Sequence, residues 1–291
     1  MISKQEPLVL GVGELLWDLL PSGKQVGGAP ANFAFHANQA GVKAFALSAI
    51  GNDVLGTELV GQLQQHQIDH LLPIVTFPTG TVEVTVHEGI PSYIIQEDVA
   101  WDHIPLTQEM LDLAIQADAI CFGTLALRNI GSRDTIQRLL RIAPSPAILL
   151  FDINLRQNFY DRPLIEDMLN MTNSLKLNDD EIEVLIRMFS LPEDVDEACQ
   201  KLIAQFNLRL LIFTAGAHYS TVYHQGERSY LDTPQVKVAD TIGAGDCFAG
   251  SLIACLLRGM SLSSAHAYAV HAAAIVCQHA GAWIVHNNTH D

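Results

Sequence analysis

The chain is poor in basic residues. Sixteen Lys and Arg stand against 32 Asp and Glu, a formal charge of −16. That balance argues against nucleic acid and anionic membranes as partners. Any phosphate site must therefore be built locally, from backbone amides and a few placed cations. Cysteine is scarce and scattered: Cys121, Cys199, Cys247, Cys255 and Cys277 form no CxxC pair, so neither a disulfide framework nor a zinc motif is expected. No apolar run reaches transmembrane length. The opening residues lead into the strand-like Leu8–Val12 without a signal-peptide core, and a reduced, cytoplasmic protein is expected. The chain has no GxxxxGK[ST] run, which excludes a P-loop enzyme. Gly11-Val-Gly13 lacks the third glycine of a dinucleotide fingerprint, so a nicotinamide dehydrogenase is disfavoured. The histidines include no HExxH motif, and His286–His290 reads as a frayed tail.

What is present is an alternation of short apolar runs with helical periodicity. Strands are expected at Leu8–Val12, Ala44–Ile50, Ala119–Phe122, Ile148–Ile153 and Leu210–Thr214. Between them lie helical patterns at Ala31–Gln39, Gly56–His66, Thr107–Gln116, Arg133–Ile142, Asp180–Met188 and Val195–Phe206, and two more follow at Ala244–Leu257 and Ser263–His279. Such alternation reads as a parallel sheet covered on both faces. The stretch Thr81-Val-Glu-Val-Thr-Val-His87, the turn Gly89-Ile-Pro91 and the run Tyr93-Ile-Ile-Gln96 break the rhythm and read as an inserted hairpin.

The run Asp240-Thr-Ile-Gly-Ala-Gly-Asp246 precedes the apolar helix pattern. A glycine turn opening a helix aims free N–H groups and the positive end of the helix dipole at a ligand, which suits phosphate. A carboxylate in that turn repels the phosphate. It makes sense either as a helix cap or as a base taking the proton of a nucleophile that attacks the phosphate.

Together with Gly27-Gly-Ala-Pro-Ala-Asn32, this run resembles the paired signatures of the ribokinase-like (PfkB) carbohydrate kinases, most of all the bacterial fructokinases. Gly13-Glu14…Asp18, Gly51-Asn-Asp53, Asp152-x-Asn154-x-Arg156, Asn178-Asp-Asp-Glu181, Thr214-x-Gly216 and Gly281-Ala282 fall in the family's order, so the likeness spans the chain. The resemblance implies one α/β domain over residues 1–291, a three-layer α/β/α sandwich. It implies a small β-sheet lid from about residues 15–25 and 79–96, through which a homodimer could form.

The resemblance also implies ATP-dependent phosphorylation of a sugar hydroxyl, with D-fructose to fructose 6-phosphate the leading reaction. 2-Keto-3-deoxygluconate, ribose and nucleosides remain open as acceptors, as does a non-catalytic sugar-binding regulator. Asp246 would be the general base, and the amides of Gly243, Ala244 and Gly245 the anion hole. Asp18, Gly27, Gly28 and Asn32 would hold the sugar. Arg156 would brace the γ-phosphate or a substrate hydroxyl. Asn178 and Glu181 would hold Mg²⁺ through water, with Lys176 adding a cation. Thr214 and Gly216 would line the nucleotide phosphates. Tyr219 stands where the family's loop has its last glycine, so that loop either bends differently or packs Tyr219 on the nucleotide. Asp240 and the Ile242 carbonyl match a monovalent-cation site of some members, which leaves K⁺ open.

Overall fold

A computed structural model describes residues 6–20, 23–87 and 90–286, without side-chain placement over 84–93. Pro21 and the side chain of Tyr93, both expected in the lid, lie outside the described set.

Among the described residues the central sheet has nine strands. From one edge to the other these are Glu227–Asp232, Tyr219–His224, Leu210–Ala215, Ser174–Asn178, Ile148–Asp152, Ala119–Gly123, Leu8–Val12, Lys43–Leu47 and Asp69–Leu71. The run from Leu210–Ala215 to Asp69–Leu71 is parallel; the two strands beyond Leu210–Ala215 are antiparallel. Successive residues of a strand point to opposite faces, and the core follows. Leu10, Val12, Ile120 and Phe122 belong to one buried cluster, whereas Val9, Ala119 and Cys121 belong to the other. Residues from helices Ala29–Gln39, Val54–Gln65, Ala244–Leu257 and Leu262–Cys277 join the second cluster. Helices Gln108–Ala114, Ile130–Ile142, Arg162–Met171, Asp179–Phe189 and Val195–Phe206 join the first. The result is the expected three-layer α/β/α sandwich.

Strand Ser174–Asn178 and helix Arg162–Met171 were not expected. The strand is buried in mid-sheet, but Lys176 interrupts its apolar pattern and hides it from a hydrophobicity reading.

A second sheet joins Gly23–Gly27, Leu16–Leu20, Gly80–His87 and Ile90–Ile95 in that order, the two middle strands being parallel. These are the two segments expected to form the lid. Asp53 fastens this sheet to the body. It caps helix Val54–Gln65 by accepting from Gly56 N (2.7 Å), and it accepts from Thr79 N (2.8 Å) and Thr79 Oγ1 (2.7 Å) at the root of Gly80–His87. The far end is held by Arg128, which donates to Gln96 O (2.5 Å) and pairs with the buried Asp102 (2.8 Å).

Candidate active site

From the central strand Leu8–Val12 the chain runs first to one side of the sheet and later to the other. The crevice beyond strand ends at such a switch point is where open parallel sheets bind ligands. Gly13 and Glu14 follow the first strand end there. Asp152 closes the strand two places along, Asn178 the next, and Thr214 lies in register beside Asn178.

Helix Ala244–Leu257 points its N-terminus into this crevice. Its cap, Gly243, has φ +75° and no side chain to cover the first turn; a Cβ there would lie 2.4 Å from that of Ala282. The left-handed backbone and the close neighbour both demand glycine. Of the three amides expected to bind an anion, Ala244 N–H already donates to Thr241 O (3.2 Å). The N–H groups of Gly243 and Gly245 meet no acceptor among the described residues and stay available.

Asp246 sits in the first turn. Its Oδ2 accepts from Asn32 Nδ2 at 2.8 Å, and Asn32 Oδ1 accepts from Trp283 Nε1 at 2.9 Å. Asn32, expected as a sugar clamp, is therefore committed on both sides: one N–H holds Asp246, and the carbonyl is held by Trp283. Trp283 was not among the residues singled out by sequence. Asp246 keeps some exposure to the crevice, but protein surrounds it closely. Desolvation, then the nearby Asp152 carboxylate, raise its pKa to about 6 against the pull of Asn32, Lys176 and Arg156.

Lys176 and Asp152 form a buried ion pair (2.9 Å). Despite its own desolvation, the Lys176 ammonium is pushed up to about 12, chiefly by Asp152 and then Glu181. A Cβ on Gly245 would come within 3.3 Å of Lys176 Nζ, so a fixed cation stands beside the glycine turn. Glu14, to which the sequence motifs assign no role, lies just past the end of strand Leu8–Val12. It is 4 % exposed, its Oε2 has no hydrogen-bond partner, and burial raises its pKa to about 7.

Glu181 is buried. Its Oε2 accepts from Asn178 N (2.9 Å) and Oε1 from Leu155 N (3.0 Å), while Asn178 Oδ1 accepts from Glu181 N (2.9 Å). The pair is thus a capping box, and its remaining lone pairs suit metal-bound water rather than direct ligation. The donor set is all oxygen, as Mg²⁺ requires.

Arg156 is exposed at the crevice rim, its Nη1 on Leu155 O (3.1 Å). Asp18 lies in lid strand Leu16–Leu20, its carboxyl raised by desolvation; a side chain at Gly27 would meet its Oδ2 at 2.5 Å. Gly28 has φ +128°, and a Cβ there would strike Glu14 O at 2.3 Å. Gly216 turns with φ +48°, and Thr233 Oγ1 holds its carbonyl (3.0 Å). Tyr219 begins the next strand and stacks on Tyr230, ring centres 5.1 Å apart. Asp240 ties the signature turn to the C-terminal segment, accepting from Ile242 N (3.0 Å) and Gly281 N (3.2 Å). A cleft of about 380 Å³ opens between the lid, helix Val54–Gln65 and residues 280–284. Asp246 does not line it. The narrower space at Asp246 is bordered by Ala29, Phe33, Cys121, Asp152 and Asn154.

Comparison with known proteins agrees with this geometry. A Pyrococcus horikoshii protein described as a sugar kinase is 28% identical over 298 residues, covering 95% of this chain and 92% of its own. The ATP-dependent 6-phosphofructokinase of Thermoanaerobacterium thermosaccharolyticum is 27% identical over 272 residues, covering 87% and 83%. Two solved structures share the fold at 21% identity. Xylella fastidiosa fructokinase with bound ATP has a TM-score of 0.81 and covers 94% of each chain. An Escherichia coli protein described as ribokinase II, in complex with ATP and Mg²⁺, has a TM-score of 0.80 and covers 96% and 94%. The model of the pfkB family of carbohydrate kinases matches residues 22–288. With Asp246 seated in an uncapped glycine turn and a buried lysine beside it, the chain is a carbohydrate kinase and belongs to the PfkB family.

Proposed function

We propose that this kinase transfers the γ-phosphoryl group of MgATP to the 6-hydroxyl of D-fructose. The observation that carries the chemistry is Asp246. A carboxylate with a pKa near 6, held by Asn32 in the turn that offers the Gly243 and Gly245 amides, is ionised at neutral pH and able to accept a hydroxyl proton. As the hydroxyl attacks, its proton passes to Asp246. Charge on the transferred group meets the free N–H groups, the helix dipole and Lys176. Mg²⁺, held through water by Asn178 and Glu181, would offset charge on the phosphate oxygens. Arg156 would close on the phosphates from the rim, and Thr214 and Gly216 would line their far side. Asp18, its carboxylate against Gly27, would accept sugar hydroxyls under the lid, and Gly27 and Gly28 would let the backbone approach the ring.

Fructose is favoured by Gly13-Glu…Asp18, Ala29-Pro-Ala31 and Asp152-x-Asn154-x-Arg156. The relative acting on fructose 6-phosphate suggests a phosphorylated acceptor instead, but that needs cations in the lid. Segments 15–27 and 79–96 hold one lysine and no arginine, and Lys24 already pairs with Glu58. The test is ADP release from MgATP with fructose, fructose 6-phosphate, ribose, 2-keto-3-deoxygluconate and adenosine. Fructose should give the highest kcat/KM. A better rate with another acceptor overturns the fructose assignment, and no turnover with any acceptor overturns the mechanism. Repeating the assay in Na⁺ and in K⁺ decides whether the Asp240–Ile242 turn holds a monovalent cation. Sedimentation at assay concentrations decides whether the lid pairs two copies.

A further inference from the structure

Spacing along the chain excludes local zinc motifs, but the fold brings three distant metal-binding side chains together. His36 lies on helix Ala29–Gln39, one turn past Asn32. Cys247 follows Asp246 on helix Ala244–Leu257, and His286 ends the described C-terminal segment. All three are buried, and one ligand atom from each lies within 4.8 Å of the others. His286 is thus packed in the interior, not frayed.

We infer that His36, Cys247 and His286 form a binding site for one Zn²⁺ ion, distinct from the kinase centre. His36 Nε2 lies 2.8 Å from Ala282 O. A carbonyl only accepts, so Nε2 carries the proton and Nδ1 presents its lone pair inward. There it faces His286 Nε2 at 3.3 Å. Two nitrogens at about 2.0–2.1 Å from a tetrahedral zinc stand roughly 3.3–3.4 Å apart, so this pair already has the required separation. An imidazole whose other N–H is held by a carbonyl is also the usual support of a zinc-bound histidine. Burial lowers both imidazole pKa values, that of His36 to about 4, so both rings are neutral ligands at physiological pH.

Cys247 completes the set in apolar surroundings with Ala272 and Val276. Its thiol, pushed up by burial, gives its proton to solvent as the Zn–S bond forms. Three protein ligands leave one tetrahedral position for water. The ion would staple residues 282–286 to both helices that carry Asn32 and Asp246.

The test uses the full chain, stripped with chelator and titrated with Zn²⁺ alone or Co²⁺ alone. We expect one ion per chain, a tetrahedral Co²⁺ spectrum with a thiolate charge-transfer band, and a higher Tm with Zn²⁺. Cys247→Ser should lose the band and weaken Zn²⁺ binding at least about 100-fold, while Cys255→Ser keeps both. His286→Gln should weaken binding without unfolding the chain. The wild-type Co²⁺ spectrum needs no variant and stands even if one misfolds. The assignment is overturned by absence of stoichiometric binding, by a Co²⁺ spectrum without thiolate character, or by a band that survives in Cys247→Ser. In each case the cluster is a neutral His–His hydrogen bond beside a buried thiol.

Discussion

At the residue scale the site turns on how one carboxylate is held. Asp246→Asn keeps the shape and the Asn32 neighbour but cannot take a proton. It should lower kcat by about 10²–10⁴-fold, the range of general base catalysis, as read by steady-state ADP release. Because burial and Asp152 raise the Asp246 pKa to about 6, kcat/KM should be flat above that value. It should fall about tenfold per pH unit below it. Trp283→Phe removes the N–H that fixes the Asn32 amide. Asp246 then loses its donor, its pKa climbs, and the acid limb should move up, costing roughly tenfold in kcat/KM near pH 6, the worth of one hydrogen bond to a charged group. The signature residues Asp246 and Asn32 were legible because glycines and carboxylate sit together in the chain. Trp283 was not, since a lone tryptophan 251 residues from its partner gives no local signal.

At the element scale, caps and tethers place the site. Helix Asp179–Phe189 starts where Asn178 and Glu181 exchange hydrogen bonds, and the same Glu181 fixes the loop after Asp152 through Leu155 N. The lid is tied at its root by Asp53 and at its end by Arg128, whose guanidinium also covers the Trp101 ring at 4.0 Å. Arg128→Met leaves Asp102 buried without its partner. It should cost about 3–5 kcal/mol in chemical denaturation, as losing one member of a buried pair does. The hairpin of the lid could be read from its period-two alternation. Its pairing in parallel with Leu16–Leu20 could not, because register between distant strands is settled by packing and not by local pattern. Strand Ser174–Asn178 escaped for a different reason. Its Lys176, paired with Asp152 beside Gly245, breaks the apolar run.

At the scale of the whole molecule, Glu14 links the site to stability. Its folded pKa of about 7 lies above the ordinary 4.5, so between these values the folded chain binds the extra proton. Stability from this group is full below about 4.5 and declines as pH rises through 7, by on the order of 3 kcal/mol. Glu14→Gln should abolish that decline, seen as a smaller loss of denaturation midpoint between pH 5 and pH 8. The formal charge of −16 acts more diffusely. An anionic nucleotide approaches against it, so kcat/KM for MgATP should rise as salt is raised from low ionic strength to about 0.15 M and screens the repulsion.

The C-terminal segment has one more consequence. Trp283 orients Asn32, Ala282 packs on Gly243, and the Ala282 carbonyl holds His36. On the ribosome, both glycine signatures emerge before residues 282–286. A nascent chain can therefore assemble its sheet and helices in order of synthesis while its base still lacks an oriented amide. Shortening the chain before residue 282 should therefore leave the sheet and helices formed while lowering kcat/KM, because Asn32 and Gly243 lose these contacts.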